Sequence, residues 1–172
     1  MPNIDYLTKL VGTSITGRFK RTKQGIEADI RTLNLEYEPE EREQKRDELT
    51  KSSYDFSLNI LHFDKSNGLF IASAKDMFGT SGVIGRFGEH KEDERAGSIV
   101  FQKSYSRERD IYNGSGNNFE TDFHMSLRQI FYVGSHWLTS ENIFNAEGKF
   151  SCQDTRYEIT GGTWEMSAKL SE

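Results

Sequence analysis

From residue 54 onward the chain is a succession of short runs in which every second residue is apolar, and Gly, Asn or Asp closes most of them. Phe56, Leu58 and Ile60 alternate with Ser57 and Asn59, the period of a strand with one face buried. Asn67-Gly68 then stands between two apolar runs, a strong hairpin signal, and Leu69-Phe70-Ile71-Ala72 is the return strand. Further strands are expected at about 81–88 (Val83, Ile84, Phe87), at 97–105, and near 128–134, 142–151 and 156–168. No long amphipathic helix separates them. Strands so closely spaced, joined by turn residues, predict an all-β fold, an antiparallel barrel of about eight strands.

The first third is less regular. Residues 10–20, Leu-Val-Gly-Thr-Ser-Ile-Thr-Gly-Arg-Phe-Lys, read as a first strand bent at its glycines, because an interior Gly often marks a bulge or barrel corner. Residues 26–37 fit two patterns. Ile26, Ile30, Leu33 and Tyr37 make a helical stripe, whereas Leu33, Leu35 and Tyr37 alternate as a strand. Residues 36–49 hold seven acids against three bases, a local charge of −4. Pro39 suits a first helical position, with acids early and bases later, so a short charged helical excursion is expected at 39–49. The long connection 106–125 contains Asn113-Gly114-Ser115-Gly116-Asn117-Asn118.

A chain of 172 residues fits one domain, 1–172. Apolar residues are only 34%, yet 12 Phe, 7 Tyr and 2 Trp supply a core built from rings, each able to bury about 150–250 Å². The net charge is −5 and no basic stripe is present, which argues against a nucleic-acid partner, whose phosphates need cations. No run approaches the ~20 apolar residues of a spanning helix. Cys152 is the only cysteine, so no internal disulfide forms, and Met1-Pro2-Asn3-Ile4-Asp5-Tyr6 has no leader-like pattern. A cytoplasmic location is the expectation.

Several groups invite chemistry. Gly79, Gly82, Gly85 and Gly88 recur every third residue, but the acidic stretch after them would repel phosphate, and a glycine-rich curved strand is expected instead. His62 and Asp64 lie two apart but lack a third metal ligand. Cys152 has no adjacent His, and no Gly-x-Ser-x-Gly elbow occurs. Asp76 precedes a Gly-containing turn and is read as a turn former, with a general base as the alternative if it is buried. Phe101, Lys103 and Tyr105 share one strand face, with Tyr132, Trp164 and Met166 on later strands and Phe87 on an earlier one. If these face inward, Lys103 needs a carboxylate, a carbonyl or an anionic ligand. The other reading packs the rings and lets Lys103 reach the rim.

Gly97-x-Ile99-x-Phe101-x-Lys103-x-Tyr105, Tyr132-x-Gly134 and Gly161-Gly162-Thr163-Trp164-Glu165-Met166 together resemble the strand rhythm of calycin-type barrels, the lipocalin, fatty-acid-binding and avidin-like proteins. The resemblance is architectural and spans roughly residues 54–168. Lipocalins carry Gly-x-Trp in their first strand; here that strand reads Gly17-Arg18-Phe19, and Gly-x-Trp stands in the last strand. Thr121-Asp122-Phe123 resembles a lipocalin Thr-Asp-Tyr element. What the resemblance implies is a central cavity.

The leading expectation is therefore a barrel that binds a small, largely apolar molecule, anionic if it is what answers Lys103. The ligand-binding set is Phe87, Phe101, Lys103, Tyr105, Tyr132, Trp164 and Met166. No cofactor, metal or catalytic residue is implied, and an enzyme ranks below a binding protein. The alternative is a filled barrel that docks a protein partner through the acidic segment 36–49.

Overall fold

The structure, a computed structural model, describes residues 5–23, 26–27, 39–40, 53–76, 79–89, 95–105, 129–153 and 159–171; for Asp5, Gly79, Tyr105, Gln129, 152–153 and 159–160 it describes the backbone alone. The readings of 26–37 and of the 36–49 excursion fall almost wholly outside these residues, as do the 106–125 connection and the side chain of Cys152.

Eight strands follow in chain order: β1 (Ser14–Arg21), β2 (Ser53–Asp64), β3 (Leu69–Asp76), β4 (Gly79–Phe87), β5 (Ala96–Tyr105), β6 (Gln129–Leu138), β7 (Ile143–Gln153) and β8 (Ile159–Lys169). Each pairs antiparallel with its neighbours in sequence, and β8 returns to β1 through Trp164 opposite Phe19 and Met166 opposite Gly17. The result is a closed meander, with no exposed sheet edge. The strands expected from alternation between residues 54 and 168 are all present.

Alternation decides which residues face inward. Even positions of β3, β6, β7 and β8 and odd positions of β1, β4 and β5 are the buried ones, as with Phe70, Ala72 and Ala74 or Ile99, Phe101 and Lys103. In β2 the parity changes. Ile60 pairs with Ala72 and His62 with Ile71, leaving Leu61 as an extra residue. Leu61 and His62 both face water, and beyond them Phe63 turns inward to meet the Phe87 ring. The irregularity also serves the N-terminal segment, because the Ile60 carbonyl accepts from the Gly12 N–H at 3.1 Å.

That segment closes one end of the barrel. A short helix, α1 (Asp5–Thr8), leads into a turn, and Tyr6, Leu7 and Leu10 are buried together with Leu170. The Tyr6 hydroxyl lies 2.7 Å from Nδ1 of His136, whose Nε2 lies 3.2 Å from the Gly88 carbonyl oxygen. A carbonyl only accepts, so Nε2 carries the proton of a neutral ring and Tyr6 donates to Nδ1. Phe87 and Phe144 pack against the same imidazole.

The hairpin at Asn67-Gly68 is present, though in a different form from a tight two-residue turn. Residues 65–68 make the loop, and the Gly68 N–H reaches back to the Asp64 carbonyl at 2.8 Å. Only Gly68 takes a positive φ, +78°. Asp64 caps the loop by accepting from Ser66 N–H and Oγ–H, which holds its carboxyl below the usual range. That service displaces the shorter turn, and it occupies the carboxylate that was paired with His62 as a metal candidate. Among the described residues no group of three or more metal-ligating side chains occurs.

Burial pushes the His136 pKa below its ordinary 6.5, the Gly88 contact opposing the shift. The unfolded chain then binds a proton that the folded chain resists, so this contribution to stability is full above about pH 6.5 and is lost as pH falls below it. Urea denaturation between about pH 5 and 8 should show that slope in the native chain and a shallower one in His136→Gln. Tyr6→Phe should cost about 1–3 kcal/mol by leaving Nδ1 without its donor.

Candidate functional site

The opposite end of the barrel is chemically different. There β1, β3, β5 and β7 end and β2, β4, β6 and β8 begin, and there the inward positions include charge. Lys103 Nζ donates to Asp76 Oδ2 at 2.8 Å, with side-chain exposures of only 4% and 1%. Lys103 therefore does not reach the rim, and Asp76 is an internal ion-pair partner rather than only a turn former.

The register explains how they meet. Lys103 stands opposite Val83, which stands opposite Ala72, whereas Asp76 lies four residues farther along β3. The two backbones are thus two strands and four residues out of step, and Lys103 Nζ reaches Asp76 Oδ2 from inside the barrel. The inward residues of β3 and β4 at this level, Ala74 and Ser81, are small and buried.

Rings wall the pair. Nζ of Lys103 lies 5.2 Å from the centre of the Phe19 ring and 5.5 Å from that of Tyr132, within reach of cation–π attraction. Tyr132 stacks on Phe101 at 4.4 Å with the planes 5° apart, and Trp164 meets both edge-on at 5.3 and 6.1 Å. Phe150 joins Phe19 and Tyr132. Trp164 Nε1 donates to the Lys149 carbonyl at 3.1 Å, which fixes the indole. Farther towards the rim, Arg21 donates to the Tyr54 hydroxyl at 2.8 Å, its guanidinium 4.8 Å from that ring's centre.

Of the ligand-binding set read from sequence, Phe101, Lys103, Tyr132 and Trp164 come together here. Met166 is buried two residues along β8 towards the plug. Phe87 lies in the plugged half, against Phe63, Phe70, Phe144 and His136. Tyr105 pairs through its backbone with Ser81; its side chain is outside the described residues. Sequence reasoning left out Phe19, Phe150 and, above all, Asp76. The inward parity of Phe70, Ala72 and Ala74 extends to residue 76, and that signal was available.

The interior glycines belong to the same packing. A Cβ on Gly17 would meet the Phe56 ring and the Glu165 carbonyl, and one on Gly85 would meet the Phe70 ring. Gly85 faces inward but Gly82 faces solvent, so the every-third spacing in β4 is no cradle; it marks one place where a ring needs space.

Among the described residues, concavities of about 450, 690 and 410 Å³ are open grooves. Their linings are mostly outward side chains such as Arg18, Lys75, Glu147 and Glu165. They lie on the outer wall.

Taking two charges out of water costs several kcal/mol each, and an apolar pair of similar volume is often neutral or better. Lys103→Met or Asp76→Leu alone should therefore destabilise by about 3–5 kcal/mol, because each strands a buried charge. The double substitution should recover most of that loss. A denaturation cycle over the four proteins measures the coupling.

The closed eight-stranded antiparallel meander is compatible with a calycin-like architecture. Compared with protein-family models, curated proteins and solved structures, the chain matches none.

Proposed function

We propose that the barrel binds a small, largely apolar molecule at the end that holds Lys103 and Asp76. The observation that carries this reading is the ion pair buried among rings, 2.8 Å long. The plugged half closes with hydrocarbon, rings and a neutral His–Tyr contact. The other half spends two charges where aliphatic side chains would fill the space more cheaply. A few polar groups set in a mostly aromatic wall are what orients a ligand in a small site. In this reading Phe101, Tyr132 and Trp164, with Phe19 and Phe150, supply the apolar contacts, and the Lys103–Asp76 pair addresses the polar part of the ligand. Phe87 holds the closed end.

The reading is tested with N-phenyl-1-naphthylamine, an uncharged fluorescent probe. A Trp137→Phe background leaves Trp164 as the only indole. Saturable probe enhancement with matching Trp164 quenching is expected, weakened at least tenfold in Tyr132→Ala (about 1.4 kcal/mol). Absence of saturable binding sinks it.

A second reading has its own observation. On the outer wall of β3–β6, Leu69, Ile71, Ile84, Val100, Phe131 and Val133 are 43–66% exposed. The register makes them one band, with Ile71 opposite Ile84 and Val100 opposite Val133. The outward residues of these four strands include Lys75 and Arg86 but no carboxylate. A patch of that kind suits a protein contact, and it gives the interaction-module reading a surface distinct from segment 36–49. Ile84→Lys with Val133→Lys should leave probe binding intact and abolish capture of any partner. Undiminished capture removes this wall from consideration.

A further inference from the structure

We propose that the groove of about 690 Å³ on the outer wall binds a short, uncharged oligosaccharide. This site is separate from the barrel interior and does not depend on a ligand there. The groove runs across the strands, between two rows of outward side chains that the register sets side by side. One row is Trp137 on β6, Asn145 on β7, Ser167 on β8 and Thr16 on β1. The other is Glu147 on β7, Glu165 on β8, Arg18 on β1 and Asp55 on β2. Gly17, Ala146 and Met166, which lie between the rows, form the floor.

Shape narrows the class of ligand. Residues two apart on a strand are separated by about 7 Å, which sets the distance between the rows. An α-helix with its side chains is about 10–12 Å across and does not enter. An extended peptide pairs with a free strand edge, and the closed barrel leaves none among the described strands. A proline-rich segment needs an aromatic-lined groove, and Trp137 is the one ring in these two rows. The groove is open along its length, so the outer face of any occupant stays in water. An apolar molecule gains in proportion to the area it withdraws from water, and it gains little here. A molecule covered with hydroxyl groups loses little by staying half-exposed.

The lining suits such a molecule. Trp137 is half-buried on the outer side of β6, and its indole meets no hydrogen-bond partner or second ring among the described residues. The electron-rich indole face matches the C–H face of a pyranose ring. Asn145, opposite Trp137, donates to the Ile143 carbonyl at 3.2 Å, which fixes the amide and leaves its oxygen and second N–H. Across the groove Glu147 and Glu165 stand opposite each other, exposed and without a partner among the described residues. Arg18 donates through Nε to Asp55 at 3.0 Å and keeps its terminal N–H groups. Carboxylate, amide and guanidinium are planar and each can engage two neighbouring hydroxyls, which donate to the first and accept from the last. The groove holds three carboxylates against one guanidinium, a net charge of −2, so it repels a uronate or a phosphate. Lys20 and Lys149 lie beyond the carboxylate row, in the neighbouring groove.

The experiment screens tetrasaccharides by ligand-observed NMR and then by titration calorimetry. Cellotetraose, maltotetraose, mannotetraose and tetra-N-acetylchitotetraose are the uncharged probes; the tetramers of galacturonate and of glucosamine supply one charge of each sign. At least one uncharged probe should bind saturably with a Kd of about 1 mM or tighter, and the galacturonate tetramer should not bind. Trp137→Ala should weaken the uncharged probe by about tenfold or more. Glu165→Lys, at an exposed position, should do the same, and it decides the matter if Trp137→Ala fails to fold. An excess of N-phenyl-1-naphthylamine should leave the affinity for the sugar unchanged.

Absence of binding by all four uncharged probes overturns the proposal, as does binding that neither substitution weakens. Binding confined to the glucosamine tetramer overturns it too, because Glu147 and Glu165 then act as charge alone. Competition by the naphthylamine moves the sugar to the barrel interior and removes the outer-wall site.

Discussion

A ring of eight antiparallel strands encloses an interior about as wide as the side chains that fill it, and every second residue must go there. This constraint governs the whole molecule. An inward position cannot be left to chance: if it is large, a neighbour must be small. Phe56 lies over Gly17 and Phe70 over Gly85 for this reason, and the buried inward positions 72, 74 and 81 are the small residues Ala, Ala and Ser. The aromatic wealth of the chain and its many glycines are two sides of one packing requirement.

Because closure removes the sheet edges, the two ends are the places where the barrel departs from simple repetition, and they differ. One end is finished with α1, a helix too short to be stable by itself, held by Leu7 and Leu10 in the core and by Tyr6 on His136. Its hydrogen bonds connect neutral groups, which keeps the desolvation cost low. The other end brings Asp76 and Lys103 together across β4. The charge has thus been concentrated in one half, beside rings whose faces favour a cation and whose indole is fixed by a backbone carbonyl.

Much of this was legible in the sequence because strand period and turn chemistry are local. Phe56, Leu58 and Ile60, or Ile99 and Phe101, declare a buried face within five residues, whereas the same pattern left Lys103 open between an inward place and the rim. What escaped was non-local. Asp76 and Lys103 are 27 positions apart, and the offset that makes them partners is set by the register of two hairpins. Tyr6 and His136 are separated by 130 positions. In β2 the extra residue at Leu61 moved His62 outward and Phe63 inward, a one-residue slip that reverses the faces and that no pattern of period two announces.

The same non-local pairing changes what the interior means chemically. A lysine known only to face inward is an anion receptor; a lysine bonded to a buried carboxylate is half of a dipole. The first would draw a ligand by charge. In the second the opposite charge that a buried cation needs is already supplied by the protein itself. A pair held this deep carries a desolvation cost that apolar side chains of similar volume would not, so packing alone does not explain its place among the rings.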